Sequence, residues 1–205
     1  MGETLKEHSD YLEEMKIFLT DQTKNLPKEL EYFKKQPVKK YDTSKLIEKT
    51  TITSINCTKN LRDLPLDSFF NYEIFPLNIL NHLTQWKYEN RKIKVGDTIV
   101  QQVFIPPIRS FSQKIIFAVR ICQIFNELTK VGFSYETVKG HIETGISTFT
   151  IEKDGSTNPV FKIHTFSAPG NILTKIGSVF SIPYQTFCTH QALKEVKNRI
   201  ERLCK

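Results

Sequence analysis

The spacing of apolar residues changes character along this chain. Between Thr50 and Pro169 they come in short runs dense in β-branched and aromatic residues, and from Tyr184 onward they recur at every fourth position. The first pattern predicts strands and the second predicts one face of a helix. Strands are expected at 50–55, 98–105 and 114–125, and near 130–138, 141–152 and 159–167. Pro106-Pro107 ends the second of these, since proline has no N–H to offer a ladder. Lys114–Phe125 is so continuously apolar that it reads as a central strand. Asp154-Gly155 supplies a turn, and Ser167-Ala168-Pro169-Gly170 closes the sheet. Between the first two strands the pattern predicts a short helix over 64–70 and a second helix from Leu77 to Trp86, with Ile79, Leu80 and Leu83 on one face.

At the C-terminus, Ile172, Leu173, Ile176, Val179 and Phe180 make a helical segment that Pro183 interrupts or restarts. Tyr184, Cys188, Ala192, Val196 and Ile200 then form an apolar stripe, flanked by Phe187 and Leu203. The other face carries Lys194, Lys197, Arg199, Arg202 and Lys205. Near the N-terminus, Ser9 is placed to cap a helix through Leu12, Met15, Ile17, Phe18 and Leu19, and Pro27 to open another containing Leu30, Tyr32 and Phe33. Residues 1–49 are therefore expected to form a helical appendage and linker, and residues 50–205 the main domain. Strands in sequence, with helices segregated at the ends, predict an α+β fold in which a curved antiparallel sheet grips the long C-terminal helix. Such a grip leaves a cavity wherever the side chains between sheet and helix do not fill the space.

The richest chemistry lies in the stretch Gly132 to Gly145. A three-residue hairpin loop, Val138-Lys139-Gly140, puts glycine where a left-handed residue is wanted. With that loop Thr137 opposes His141, Tyr135 opposes Glu143, and Phe133 opposes Gly145, all on one face of the sheet. If that face is concave, Tyr135, His141 and Glu143 line a partly apolar pocket. There they orient the polar end of a ligand, act as acid and base, or simply hydrogen-bond to one another. Trp86, the only tryptophan, packs on the sheet or lines the pocket. Gln185 either crosses to the pocket from the last helix or is solvated. His164 alternates with Phe161 and Ile163 and so faces solvent, His82 is a helix-surface residue, and His190 lies beside the stripe with no evident partner.

Composition narrows the function classes. The first fifty residues hold ten lysines and ten acidic residues and cancel, so the whole net charge of +7 falls on residues 51–205. A basic helix face suits contact with anionic lipid, but the aromatic–basic interleaving of an RNA reader is missing, which argues against nucleic acid. Cys57, Cys122, Cys188 and Cys204 show neither a C-x-x-C pair nor zinc-ligand spacing, so no metal and no cofactor is expected. With no secretory leader and no long apolar run, the reading is a soluble cytoplasmic protein with buried free thiols.

The string Gly132-Phe133-x-Tyr135-x-Thr137-x-x-Gly140-His141-x-Glu143-x-Gly145-x-x-x-Phe149 resembles the signature of the bacterial and plant family of domains of unknown function numbered nineteen-ninety. Phe166-Ser167-Ala168-Pro169 is similar to that family's Phe-Ser-x-Pro segment, and the likeness spans about residues 50–200. This chain has Glu136 where the family tends to have glycine, and Ile146-Ser147 where it tends to have a glutamate pair, which leaves Glu143 as the acidic group. The element order, and Glu89-x-Arg91-x-x-x-x-Gly96-Asp97 after the tryptophan, also resemble the START-like, helix-grip superfamily of lipid carriers, polyketide cyclases and the birch pollen allergen. That resemblance implies a hydrophobic cavity and no particular activity.

These observations lead to one main expectation: a non-enzymatic binder of a small hydrophobic molecule or lipid, using Trp86, Phe133, Tyr135, Thr137, His141 and Glu143. The alternatives are a small-molecule enzyme of cyclase, dehydratase or hydrolase type built on His141, Glu143 and Tyr135, and a module that docks a protein or an anionic membrane.

Overall fold

The computed structural model describes residues 16–108, 110–153, 157–169 and 173–204. Its elements in chain order are β1 (Lys16–Phe18), α1 (Leu26–Phe33), β2 (Ile47–Ser54), α2 (Asp67–Phe70), β3 (Leu80–Thr84), α3 (Gln85–Tyr88), β4 (Thr98–Ile105), β5 (Gln113–Asn126), β6 (Lys130–Thr137), β7 (Glu143–Glu152), β8 (Val160–Pro169) and α4 (Leu173–Cys204). The strands form one antiparallel sheet in the order β2-β8-β7-β6-β5-β4-β3. β1 also joins β5, at Lys16↔Ile116 and Phe18↔Lys114, along the edge that the shorter β6 leaves bare. The fold is the α+β helix-grip: α4 lies against the concave side of the sheet, in contact with β8 and β2.

Two cores form because the middle strands are covered on both sides. On the concave side Ile115, Phe117, Val119 and Ile121 of β5 join Ile99 and Val103 of β4, Phe133 of β6, and Ala192, Val196 and Ile200 of α4. On the convex side Ile116 and Ala118 of β5 and Val100 of β4 pack under Leu26, Leu30 and Phe33 of α1. A strand buried on both faces reads as an unbroken apolar run rather than an alternating one. Leu30 and Phe33 are fully buried, so residues from β1 onward build one wall of the sheet.

Curvature comes from two glycines. Gly132 and Gly145 adopt φ +150° and +144°. A methyl group at Gly145 would sit 2.0 Å from the Phe166 carbonyl oxygen, and one at Gly132 equally close to that of Phe149. Only a bare backbone permits these kinks, which bend a sheet toward its concave side.

Several expectations need correction. Leu77–Trp86 is not one helix: Leu80–Thr84 is strand β3, and only Gln85–Tyr88 is helical. Leu80 packs on the concave core and Leu83 toward the convex one, so burial on both sides imitates helical spacing. His82, expected on a helix surface, instead bonds to the Asn71 carbonyl oxygen at 3.0 Å, with burial lowering its pKa. Ile17 and Phe18 belong to β1, not to a helix, because β5 offers them a partner strand. Ser9, Leu12 and Met15 lie outside the described residues, as do Asp154-Gly155, Gly170, Ile172 and Lys205. α4 runs unbroken through Pro183, since the helical turns on both sides tolerate one lost hydrogen bond. Cys57 and Cys204 are not free thiols: a disulfide joins them, with Cα atoms 5.9 Å apart, and only Cys122 and Cys188 are free. The expectation of free thiols therefore fails for this pair.

The hairpin is also rebuilt. Tyr135 opposes Ser147 and Phe133 opposes Phe149, a shift of four residues from the three-residue loop. Gly140, at φ +89°, occupies a turn closed by the His141 N–H donating to the Val138 carbonyl. Val138 bridges to Val38, so the incoming N-terminal segment takes the place that the start of β7 would need for a tight hairpin. A shift of four preserves the side-chain alternation, and the odd-numbered residues keep their common face.

Candidate functional site

The concave face of β6, β7 and β8 and the opposite side of α4 enclose a cavity of about 410 Å³. Phe75, Phe149, Ile163 and, on the edge strand, Ile47 give it apolar walls. Tyr135, Ser147, Glu143 and Gln185 gather at its polar end. A second concavity of about 670 Å³ at the β3 edge contains Glu73, Lys87, Glu195 and Arg199. Those four pair with one another, so it is a surface ion network.

Glu143 is half-buried because it opens onto the hollow while protein surrounds it otherwise. Gln185 reaches across from α4 and donates its side-chain amide to one carboxylate oxygen. Burial pushes the Glu143 carboxyl above its usual range, against the opposing pull of the Gln185 hydrogen bond and the Lys39 charge. Tyr135 stands beside it, its phenol pushed up to about 12 by burial, with Ser147 and Tyr72 in hydrogen-bond contact. Behind Tyr135 runs a polar chain: Gln101 donates to the Tyr72 hydroxyl at 2.9 Å, which donates to that of Tyr135 at a long 3.4 Å. Tyr72 has φ +63° yet is only 1 % exposed. That backbone conformation is costly for a bulky residue and persists only where the surroundings enforce it.

His141 is placed differently. Its Nδ1 accepts the backbone N–H of Glu143 at 2.9 Å, which puts the ring proton on Nε2. The ring packs 4.1 Å from that of Phe117, and burial, reinforced by Lys39, lowers its pKa to about 3. Lys39 itself donates to the carbonyl oxygens of His141 and Glu143 at 2.9 and 3.2 Å. The histidine therefore shapes the turn, and it meets the Glu143 backbone rather than its carboxylate.

Of the six residues singled out by sequence, Tyr135 and Glu143 line the cavity. Trp86 and Phe133 belong to the concave core, and Thr137 is buried beside the Gly145 N–H, which donates to its hydroxyl at 3.2 Å. His141 sits behind the cavity wall. Ser147, Phe149 and Ile163 were missed, although alternation along β7 carries the first two onto the Glu143 face. Phe75, from a loop, and Tyr72, at its unusual φ, carry no periodic signal. Glu136, where the resembling family has glycine, points elsewhere and accepts from the Tyr41 hydroxyl at 2.7 Å. Arg91 and Asp97, part of the motif after the tryptophan, form a two-pronged ion pair at 2.6–2.7 Å that fixes the turn into β4.

A family model described as Domain of unknown function (DUF1990) matches residues 67–195. The chain belongs to this family. In DUF1990 terms the matched segment holds both the turn with its glycines and most of the cavity. No curated protein matches the sequence. Among solved structures, a hypothetical protein from Helicobacter pylori aligns with the DUF1990 chain at a TM-score of 0.50 and 11% identity, over 76% of this chain and 87% of that one. An uncharacterized protein from Rhizobium leguminosarum gives 0.42 and 13%, over 77% and 97%. Norcoclaurine synthase from Thalictrum flavum, in complex with dopamine and hydroxybenzaldehyde, gives 0.42 and 11%, over 79% and 95%. At these identities the likeness concerns fold alone. Among the described residues, no three His, Cys, Asp or Glu side chains converge as a metal site, and no helix is long and apolar enough to cross a membrane.

Proposed function

We propose that this DUF1990 domain binds a small, mainly apolar molecule between its sheet and α4, without transforming it. The observation that carries this reading is a largely apolar hollow with one carboxylate, Glu143, held at its polar end by Gln185. About 410 Å³ falls within the ~300–1,000 Å³ of small-molecule sites, which are typically apolar with a few placed polar groups. Tyr135 and Glu143 orient the ligand's polar end, and Phe75 and Phe149 supply apolar contact. Trp86, Phe133, Thr137 and His141 support these residues from the core and the turn.

Native mass spectrometry of the protein purified from its own host tests this. The expected result is a stoichiometric apolar passenger that is lost in Ser147→Phe, a variant that fills the hollow. A bare protein that takes up no apolar probe, with the variant behaving identically, would overturn the reading.

A further inference from the structure

We infer that the molecule held in this cavity ends in a protonated amine, bound by the Glu143 carboxylate and the Gln185 side-chain carbonyl beside the aromatic wall of Tyr135, Phe75 and Phe149. The inference rests on the binding reading above and names the chemistry of its ligand.

Counting donors and acceptors leads there. One Glu143 oxygen accepts from Gln185. The other Glu143 oxygen and the Gln185 side-chain oxygen have no donor among the described residues. Some of the nearby donors are already spent. The Tyr135 hydroxyl contacts Ser147, the Thr189 hydroxyl donates to the Gln185 backbone oxygen at 2.9 Å, and Lys49 donates to Thr186 at 3.4 Å. Two acceptors at the polar end of the hollow thus stand open to a ligand's donors. An ammonium brings three donors and no acceptor, a hydroxyl brings one donor, and a carboxylate brings only acceptors.

Charge points the same way. Among the described residues, the titratable or charged groups facing Glu143 are Tyr135 and Cys188, both neutral near pH 7, with Lys49 at the rim, Lys39 on the backbone side and neutral His141 behind. A cationic ligand supplies the counter-charge inside the hollow. The rings complete the site: Tyr135 and Phe149 lie 5.4 Å apart and Phe75 and Phe149 6.4 Å, a continuous aromatic surface of the kind that attracts cations.

Calorimetric titration of the full chain with octylamine, 1-octanol and octanoate at neutral pH decides it. Octylamine is expected to bind at least tenfold more tightly than octanol, with octanoate weakest. Glu143→Gln should abolish the advantage of the amine over octanol. Gln185→Leu, which leaves the carboxylate in place, should reduce that advantage at least threefold. Lowering the pH through the Glu143 titration should weaken octylamine and leave octanol unchanged. If none of the three probes binds, the cavity reading falls and this inference with it. If octanol or octanoate binds as tightly as the amine, or Glu143→Gln leaves the order intact, the amine is wrong and the apolar cavity stands.

Discussion

At His141, desolvation comes first and the Lys39 charge second in lowering the pKa from 6.5 to about 3. Between those two values the unfolded chain holds a proton that the folded chain refuses, so stability rises with pH there. The contribution is complete above about 6.5 and is lost as pH falls through about 3. His82, lowered by burial, adds the same sign. Glu143 acts in the opposite sense: its raised carboxyl favours the folded state below 4.5, and that contribution fades as pH rises through the folded value. Urea midpoints followed between pH 7 and pH 4.5 should therefore fall toward acid in the native protein and fall less steeply in His141→Gln, whose carbonyl can still accept the Glu143 N–H. Equal slopes would mean that the imidazole is solvated. The site residues legible in sequence, Tyr135 and Glu143, owed their visibility to strand alternation. His141 shared the motif, but its ring turns back on its own backbone, a local geometry that no spacing encodes.

Among the elements, β6 and β7 depend on glycine at their kinks. Gly145→Ala places a methyl 2.0 Å from the Phe166 oxygen, and we expect a loss of at least about 3 kcal/mol in chemical denaturation. Gly96 is the control: its φ is +91° but nothing lies within 4 Å of the added carbon, so Gly96→Ala should cost only about 1–2 kcal/mol of left-handed strain. Equal losses would locate the penalty in φ alone. Strands β4 to β8 were readable because β-branched runs between turn residues have few other uses. β3 was not, since its Leu80 and Leu83 serve opposite cores. The register of β6 on β7 was not readable either, because it depends on Val38, a residue a hundred positions away from Val138.

For the molecule as a whole, the curved sheet and its gripped helix followed from element order, while the Cys57–Cys204 link did not, since isolated cysteines carry no pairing signature. The bond ties the last turn of α4 to the chain after β2, across a sequence separation of 147. Cross-links that close long loops remove much freedom from the unfolded chain. Cys57→Ser, or dithiothreitol with the native protein, should lower stability by about 2–5 kcal/mol, seen as a fall in melting temperature. A melting curve indifferent to both would show that the thiols are unlinked in solution.

The segment shared with the DUF1990 family begins at residue 67 and stops at 195. It therefore excludes β1, α1, β2 and both linked cysteines. Cut out alone, that segment would present Ile116, Ala118 and Val100 as a naked greasy flank and half of β5 as an unguarded rim, an invitation to self-association. The stretch ahead of the shared portion is thus the sheath over that flank and rim.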